Sequence, residues 1–113
     1  MVIRRFERLI SIFEYVEQQH GFNFPYQLAL PENGGDDPKL SICGTLELRE
    51  GDIIVVGSDG LYDNFDFYEV LEWVRKADKK GTLLTTLPEE LAAEAIKRGK
   101  NPKFPSPFAR RAK

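Results

Sequence analysis

The sequence predicts an α+β fold in which antiparallel strands come before a group of helices. The run Ile53–Val56 is short, β-branched and bounded by turn residues, which is typical of a strand buried on both faces. Before it, Leu46 and Leu48 alternate with polar and charged side chains, and this period of two also indicates a strand. After it, apolar residues recur at helical spacing between Asp66 and Gly81, which predicts a helix.

Composition excludes several classes of protein. The 113 residues carry a formal charge of −2 and are 42% hydrophobic and 30% charged, which is ordinary for one folded domain. No apolar run approaches the roughly 20 residues of a membrane span, and no secretory signal is recognisable. Cys43 is the only cysteine and His20 the only histidine, which excludes an intrachain disulfide and a Cys/His zinc site. A reducing, intracellular compartment is therefore expected.

Two strands are expected to pair around a tight turn. Lys39–Glu50 has the alternation of a strand, and the turn Arg49–Asp52 returns into Ile53–Val56, so these strands should be antiparallel neighbours. The stretch Pro31–Pro38 is rich in turn residues and predicts a loop. Over the first 19 residues, apolar side chains recur at helical spacing, and this pattern by itself predicts an amphipathic helix.

The stretch before the loop is rich in aromatic residues. Phe22, Phe24 and Tyr26 alternate without basic residues among them, so we expect packing in the core or on a sheet face and no nucleic-acid binding. His20 could act as a general base or a metal ligand. A lone histidine without a second histidine or cysteine nearby is more typical of a loop residue that holds the neighbouring backbone.

Three helices are predicted after the strands. Asp66 and the glutamate three residues later have the spacing of a capping box, and Gly81 ends this helix. A second helix begins near Thr86 and ends at Gly99. The basic, proline-rich tail that follows can hold only a short helix, beginning at Pro107. Its charges are more typical of a solvated surface than of a nucleic-acid contact.

Asp59 is the candidate functional residue. It lies at the end of the predicted strand, between Gly57 and Gly60, and a carboxylate fixed there can bind a hard cation or position a water molecule. All charged residues from Glu50 to Glu72 are acidic, which also suits cations. The alternative is that the Asp59 side chain only hydrogen-bonds its own turn, as aspartate often does.

Three stretches, in order, resemble one protein family. Val55–Asn64 resembles the SDGLxDN strand and turn of metal-dependent protein serine/threonine phosphatases of the type 2C (PPM) class. Glu17–Leu28 is similar to the EQQHxFNxPxQL segment of one branch, which includes the mitochondrial T-cell-activation phosphatase. Asn101–Ala109 is similar to a DPxxxSPFA stretch of the same branch. The resemblance covers about residues 16–109.

The resemblance implies a C-terminal part of a phosphatase domain. Residues 1–113 would form a single partial domain with both ends of the usual domain missing, and its fold would be an incomplete antiparallel β-sandwich flanked by helices. The resemblance also implies a strand just before Glu17. For residues 1–19 we therefore expect a helix followed by a strand, in preference to one continuous helix.

Phosphatases of this class hold two Mg²⁺ or Mn²⁺ ions, mainly by aspartates, and a bridging water attacks phosphoserine or phosphothreonine of a phosphoprotein substrate. The resemblance implies that Asp59 is a metal ligand and that Gly60, Asp63 and Asn64 support this ligand or stabilise its turn. It assigns no catalytic residue. The family's early acidic residues, phosphate-binding arginine and late Asp-Asp strand are not recognisable here. This chain alone is therefore expected to bind the cations weakly and to have little phosphatase activity.

A second hypothesis is a catalytically incomplete remnant or regulatory fragment that acts through protein–protein contacts. A partial sandwich would leave a sheet edge and an apolar face without partners, and such surfaces could support self-association. The resemblance does not decide between cytoplasm and mitochondrion.

Overall fold

The computed structural model describes residues 1–113, which form two units. The sheet-and-helix unit comprises Met1–Glu14 and Glu50–Lys113, and the hairpin unit comprises Tyr15–Arg49. In chain order the elements are β1 (Val2–Arg5), β2 (Leu9–Phe13), β3 (Gln19–Gly21), β4 (Phe24–Pro25), β5 (Ile53–Ile54), α1 (Asp59–Tyr62), α2 (Phe67–Lys80), α3 (Leu87–Gly99) and α4 (Pro107–Arg111). The predicted α+β class with antiparallel strands is confirmed. The prediction of one partial domain stays a prediction.

The first unit contains a three-stranded antiparallel sheet in the order β2-β1-β5. Val2 lies opposite Phe13 on one side and Ile54 on the other, and Ile3 is fully buried. The helix predicted for the first half of this segment is therefore wrong, whereas a strand before Glu17 is found, at Leu9–Phe13. Local periodicity could not reveal that the backbone of β1 pairs with a strand about 50 residues further along the chain.

The strand before the candidate site differs from the prediction in length, burial and partner. Only Ile53–Ile54 is a strand, and Ile54 and Val56 are 55% and 89% exposed, so this segment is not buried on both faces. Residues 41–49 form no strand, and β1 pairs with β5 instead. β5 has one sheet neighbour, which explains why its other side stays open.

The first long helix, α2, forms as predicted. The Asp66 side chain caps the backbone N–H of Glu69, and the Glu69 side chain accepts from the backbone N–H of Asp66 at 3.2 Å, so the capping box is present. Val70 and Val74 are fully buried. The guanidinium of Arg75 donates to the carbonyl of Leu9 on β2, which fixes the helix against the sheet.

The helices α3 and α4 were also predicted, and their packing follows the apolar spacing. Leu87, Leu91 and Ala95 are buried at intervals of four residues. The side chain of Ser106 caps α4 by accepting from the backbone N–H of Ala109 at 3.1 Å. None of the four helices combines the length and the apolar character that a membrane crossing requires.

The hairpin unit is held by backbone pairing and polar contacts. Strands β3 and β4 pair antiparallel, and two single turns of 3-10 helix lie at Pro31–Asn33 and Pro38–Leu40, in and beside the predicted loop. Phe22 and Phe24 are 49% and 60% exposed, so of the two expected alternatives, a core or a sheet face, the core is wrong; Phe24 lies on β4, with its ring 5.3 Å from that of His20. A unit of 35 residues with no buried side chain has no interior to receive them.

Gly81→Ala should destabilise the protein, because Gly81 ends α2 at φ +72°, a left-handed conformation that costs other residues about 1–2 kcal/mol. The matched control is Gly99→Ala at the end of α3, where a Cβ would only touch the Asn64 amide at 3.6 Å. That change should be neutral or stabilising by up to about 1 kcal/mol. Urea unfolding followed by the fluorescence of Trp73, the only tryptophan, measures both. Equal effects of the two substitutions would contradict this account.

Candidate functional site

Asp59 lies where the chain turns from β5 into α1. It is the first residue of α1, and it follows Ser58, whose backbone is extended. Its side chain is exposed and makes no hydrogen bond or ion pair, while its carbonyl accepts from the backbone N–H of Asp63 at 2.6 Å. The alternative in which the carboxylate is bound to its own turn is therefore not observed. The turn presents a free carboxylate to solvent.

The beginning of this turn is packed tightly against the helix that follows. A Cβ at Gly57 would lie only 2.7 Å from the Cδ2 atom of Leu61, so any other residue there would displace the Leu61 side chain. Tyr62 is buried and its hydroxyl donates to the carbonyl of Val55 at 3.3 Å. Burial raises the pKa of the Tyr62 phenol. This hydrogen bond joins α1 to the segment that leaves β5.

The end of the turn is held by its own side chains and by the C-terminal tail. The Asn64 side-chain amide donates to the carbonyl of Gly60 at 2.9 Å. The carboxylate of Asp63 pairs with Arg111 at 2.8 Å, and the Asp63 carbonyl accepts from the backbone N–H of Phe108 at 3.1 Å. The three residues predicted to support Asp59 thus lie within the same turn. Their roles toward a ligand stay predictions.

The structure adds one residue that sequence reasoning missed. The Arg98 guanidinium donates to the Asn64 carbonyl and to Glu69, both at 2.9 Å, and to Glu94 at 3.0 Å. Its Cζ atom also lies over two aromatic rings, 4.1 Å from the centre of Phe65 and 4.7 Å from that of Phe104. Its spacing from Glu94 predicts only an ordinary helix ion pair, so the sequence carried no sign of the other contacts.

A second pair of charges fixes the tail at the start of α2. Arg110 binds both carboxylate oxygens of Asp66, at 2.7 and 2.6 Å. This bidentate contact with Asp66 raises the pKa of the Arg110 guanidinium. The tail is therefore attached beside the turn and does not extend freely from α3.

The sequence is similar to several phosphatases. It is 36% identical over 99 residues to probable protein phosphatase 2C 80 of Arabidopsis thaliana, covering 88% of this chain and 24% of that protein. It is 40% identical over 90 residues to probable protein phosphatase 2C 71 of Oryza sativa, covering 80% of this chain and 19% of that protein. It is 33% identical over 100 residues to the human protein phosphatase PTC7 homolog, covering 82% of this chain and 33% of that protein.

The chain is similar in sequence to type 2C protein phosphatases over most of its own length. The predicted family resemblance, including that to the PTC7 branch, is confirmed by these similarities. The chain spans between about a fifth and a third of the length of these phosphatases. No family model matches it, and no solved structure matches it.

The residues of this chain supply one potential cation ligand and not a complete metal site. The unpaired, exposed carboxylate of Asp59 has the donor chemistry that Mg²⁺ and Mn²⁺ prefer. However, no three histidine, cysteine, aspartate or glutamate residues come together in a group that could hold an ion. Asp63, the nearest carboxylate in sequence, is neutralised by Arg111. The two-ion centre implied by the resemblance is therefore not formed by these residues alone.

An apolar groove lies beside the Asp59 turn. It has a volume of about 870 Å³ and is lined by β5, by α3 and by residues of α1 and α2. Several lining side chains are strongly exposed, in particular Ile54, Val56, Leu84 and Ile96. An apolar surface of this kind is typical of a binding or packing interface.

In the hairpin unit, His20 fastens the loop to the hairpin. Its Nε2 atom lies 2.7 Å from Asp36 Oδ1, and its ring stacks on Tyr26 with centroids 4.1 Å apart. The other Asp36 oxygen accepts from the backbone N–H of Gln27 at 2.7 Å. His20 and Asp36 are joined by no third histidine, cysteine, aspartate or glutamate in a group that could hold a metal ion.

Acid should loosen this hairpin unit. The Gln27 backbone N–H, and after it His20, lower the pKa of Asp36 from its ordinary value of 3.8. Because the pKa is depressed in the folded state, the stabilisation is complete above the unfolded value and is lost as the pH falls through the folded one, below about pH 4. The proton NMR shifts of the stacked His20 and Tyr26 rings should then move toward random-coil values.

Asp36→Asn should cause the same ring shifts at neutral pH, since an amide cannot accept as strongly from Gln27 and His20. Asp37→Asn is the matched control, because Asp37 bonds only to the backbone N–H of Lys39 at 2.9 Å. Unchanged ring shifts in the Asp36 variant would show that the carboxylate does not hold the loop.

Proposed function

We propose that the chain is part of a metal-dependent protein serine/threonine phosphatase, with Asp59 as one ligand of a divalent cation. The reaction would be hydrolysis of phosphoserine or phosphothreonine in a phosphoprotein. The observation that supports this most directly is the geometry of the SDGLxDN-like turn, where Asp59 is exposed and unpaired while the surrounding residues are fixed. The similarity to phosphatases named 2C and PTC7 supports the same reaction class.

The chemistry of the donor explains why an aspartate at this place suits the reaction. Hard cations prefer carboxylate oxygens, and a bound Mg²⁺ or Mn²⁺ ion would supply charge neutralisation and a water of lowered pKa. A single carboxylate offsets only a small part of the loss of an ion's hydration shell, so this chain alone would bind the ion weakly, and this proposal places the other ligands outside the described residues. The relatives are three to five times longer than the segments they share with this chain, which leaves room for such ligands in them.

The β-sandwich of the resemblance is part of this proposal. The open side of β5 and the groove beside it have the features of a surface that packs against further β structure. Val56 and Leu84, which are 89% and 95% exposed, would be covered by such a layer.

The same surface supports a second candidate function, a segment that acts through protein–protein contacts, including self-association. An edge strand without charged residues, beside exposed apolar side chains, favours pairing with another chain. Sedimentation velocity at low and high protein concentration tests this candidate. Self-association that Val56→Lys abolishes would support it, and a monomer at every concentration would exclude self-association.

Asp59→Asn should remove the cation contact. In the wild-type chain, small additions of Mn²⁺ should broaden the amide NMR signals of Asp59 and Gly60 first, since paramagnetic broadening is local. The variant should need about tenfold more Mn²⁺ or more, because even supporting groups of metal sites contribute tenfold or more to affinity. Asp63→Asn, which removes a carboxylate already paired with Arg111, should have a smaller effect. Broadening that begins elsewhere in the chain would argue against Asp59 as a ligand.

Activity is tested in a chimera in which this chain replaces the matching segment of the human PTC7 homolog. The chimera should hydrolyse a phosphothreonine peptide in the presence of Mn²⁺. Asp59→Asn should lower kcat by about 100-fold or more, which is the loss typical of removing a group that stabilises charge in the transition state. The 113-residue chain by itself should hydrolyse the peptide no faster than buffer without protein. A folded chimera whose activity is unchanged by Asp59→Asn would overturn the proposal.

A further inference from the structure

The open edge of β5 carries backbone groups that point away from its one sheet neighbour. The Val55 N–H donates to the Met1 carbonyl at 3.0 Å, and the Met1 ammonium group donates to the Val55 carbonyl at 3.2 Å. In an antiparallel sheet, such hydrogen-bonded pairs alternate with pairs that exchange no bonds. The N–H and C=O groups of Ile54 and Val56 are therefore directed to the open side, where the chain supplies no partner for them.

The side chains along this edge are apolar and uncharged. Ile54 and Val56 are 55% and 89% exposed, and, being two residues apart, they lie on the same face of the strand. No charged residue occurs in Ile53–Ser58, and Asp52 just before it is neutralised by Arg4, with 2.7 Å between oxygen and nitrogen. This edge thus lacks the charges that usually keep edge strands apart, and nothing in it repels an identical edge.

We propose that two copies of this chain pair antiparallel through β5, with Ile54 of each copy opposite Val56 of the other. This inference rests on self-association, the second candidate function, and deepens it by specifying which strand pairs and in which register. The two three-stranded sheets would join into one continuous sheet across a two-fold axis. Such an interface uses the same surface on both copies, so the surface must be complementary to itself.

The edge of β5 meets this requirement in one register. A two-fold axis through Val55 places Ile54 opposite Val56 on both sides of the axis. Each of these pairs then exchanges both of its backbone hydrogen bonds, and each exposed apolar side chain meets another across the strands. An axis through Ile54 would instead leave Val56 opposite Asp52, a charged residue.

Amide hydrogen exchange in the unmodified 113-residue chain tests the pairing. The Ile54 and Val56 amides should exchange more slowly as protein concentration rises, because only the dimer gives them acceptors. Where sedimentation velocity shows nine-tenths of the chains in dimers, their exchange should be about tenfold slower, since it proceeds from the remaining monomer. The Val55 amide is the internal control: it already donates to Met1 within one copy, so its exchange should depend much less on concentration.

Disulfide cross-linking in a glutathione buffer tests the register. Cys43, the one native cysteine, is first removed as Cys43→Ser. Val55→Cys should then cross-link the dimer, because residues facing each other on the axis have Cα atoms roughly 4.5 Å apart, which a disulfide can span. Ile54→Cys is the matched control. Its two copies would be roughly 8 Å apart by the spacings of a sheet, which is too far for a disulfide.

The outcomes separate this inference from the function on which it rests. A chain that stays monomeric at every concentration overturns self-association, and with it the inference. A dimer in which the Ile54 and Val56 amides exchange equally fast at all concentrations overturns only the pairing through β5. Cross-linking of Ile54→Cys in preference to Val55→Cys overturns the register. If Val55→Cys does not fold, an equal mixture of Ile54→Cys and Val56→Cys chains should form a mixed disulfide dimer, and its absence overturns the register as well.

Discussion

The pairing of β1 with β5 is the constraint on which the sheet-and-helix unit depends. It joins two stretches about 50 residues apart, and the backbone N–H of Val55 extends it by donating to the carbonyl of Met1 at 3.0 Å. Beside it, Arg4 binds Asp52 through two hydrogen bonds of 2.9 and 2.7 Å, with both side chains largely buried. A buried, bidentate ion pair requires one geometry, so it also sets the register in which the two strands meet.

This constraint decides where Asp59 can be. Because β5 is held by β1, the residues that leave it start from a fixed place, and Tyr62 ties the following helix back to Val55. Contacts from later parts of the chain then hold the far end of the turn, through Arg98 on α3 and Arg111 on α4. A free carboxylate on a fixed backbone suits a residue that coordinates a cation. Because the backbone is already ordered, little conformational entropy is lost when the carboxylate binds.

The exposed apolar groove and the incomplete set of cation ligands have a common interpretation. A chain that presents Ile54, Val56 and Leu84 to solvent has apolar surface that its own residues do not cover, and the same chain offers Asp59 without companion carboxylates. Both features are expected of a segment that works together with further structure. The relatives, in which the matched region is a minor part of the length, are consistent with this.

The sequence by itself determined the helices α2, α3 and α4 and the identity of the candidate ligand. The capping box at Asp66, the αL glycine at Gly81 and the apolar spacing along α3 act within one or two turns, so their signal lies in adjacent residues. The motif around Asp59 is equally local. Tertiary structure alone decided that Val2–Arg5 is a strand, that β1 pairs with β5, and that Arg98 lies over two aromatic rings. Those outcomes depend on contacts between residues tens of positions apart in the chain. Such contacts produce no periodic pattern that could be recognised in the sequence.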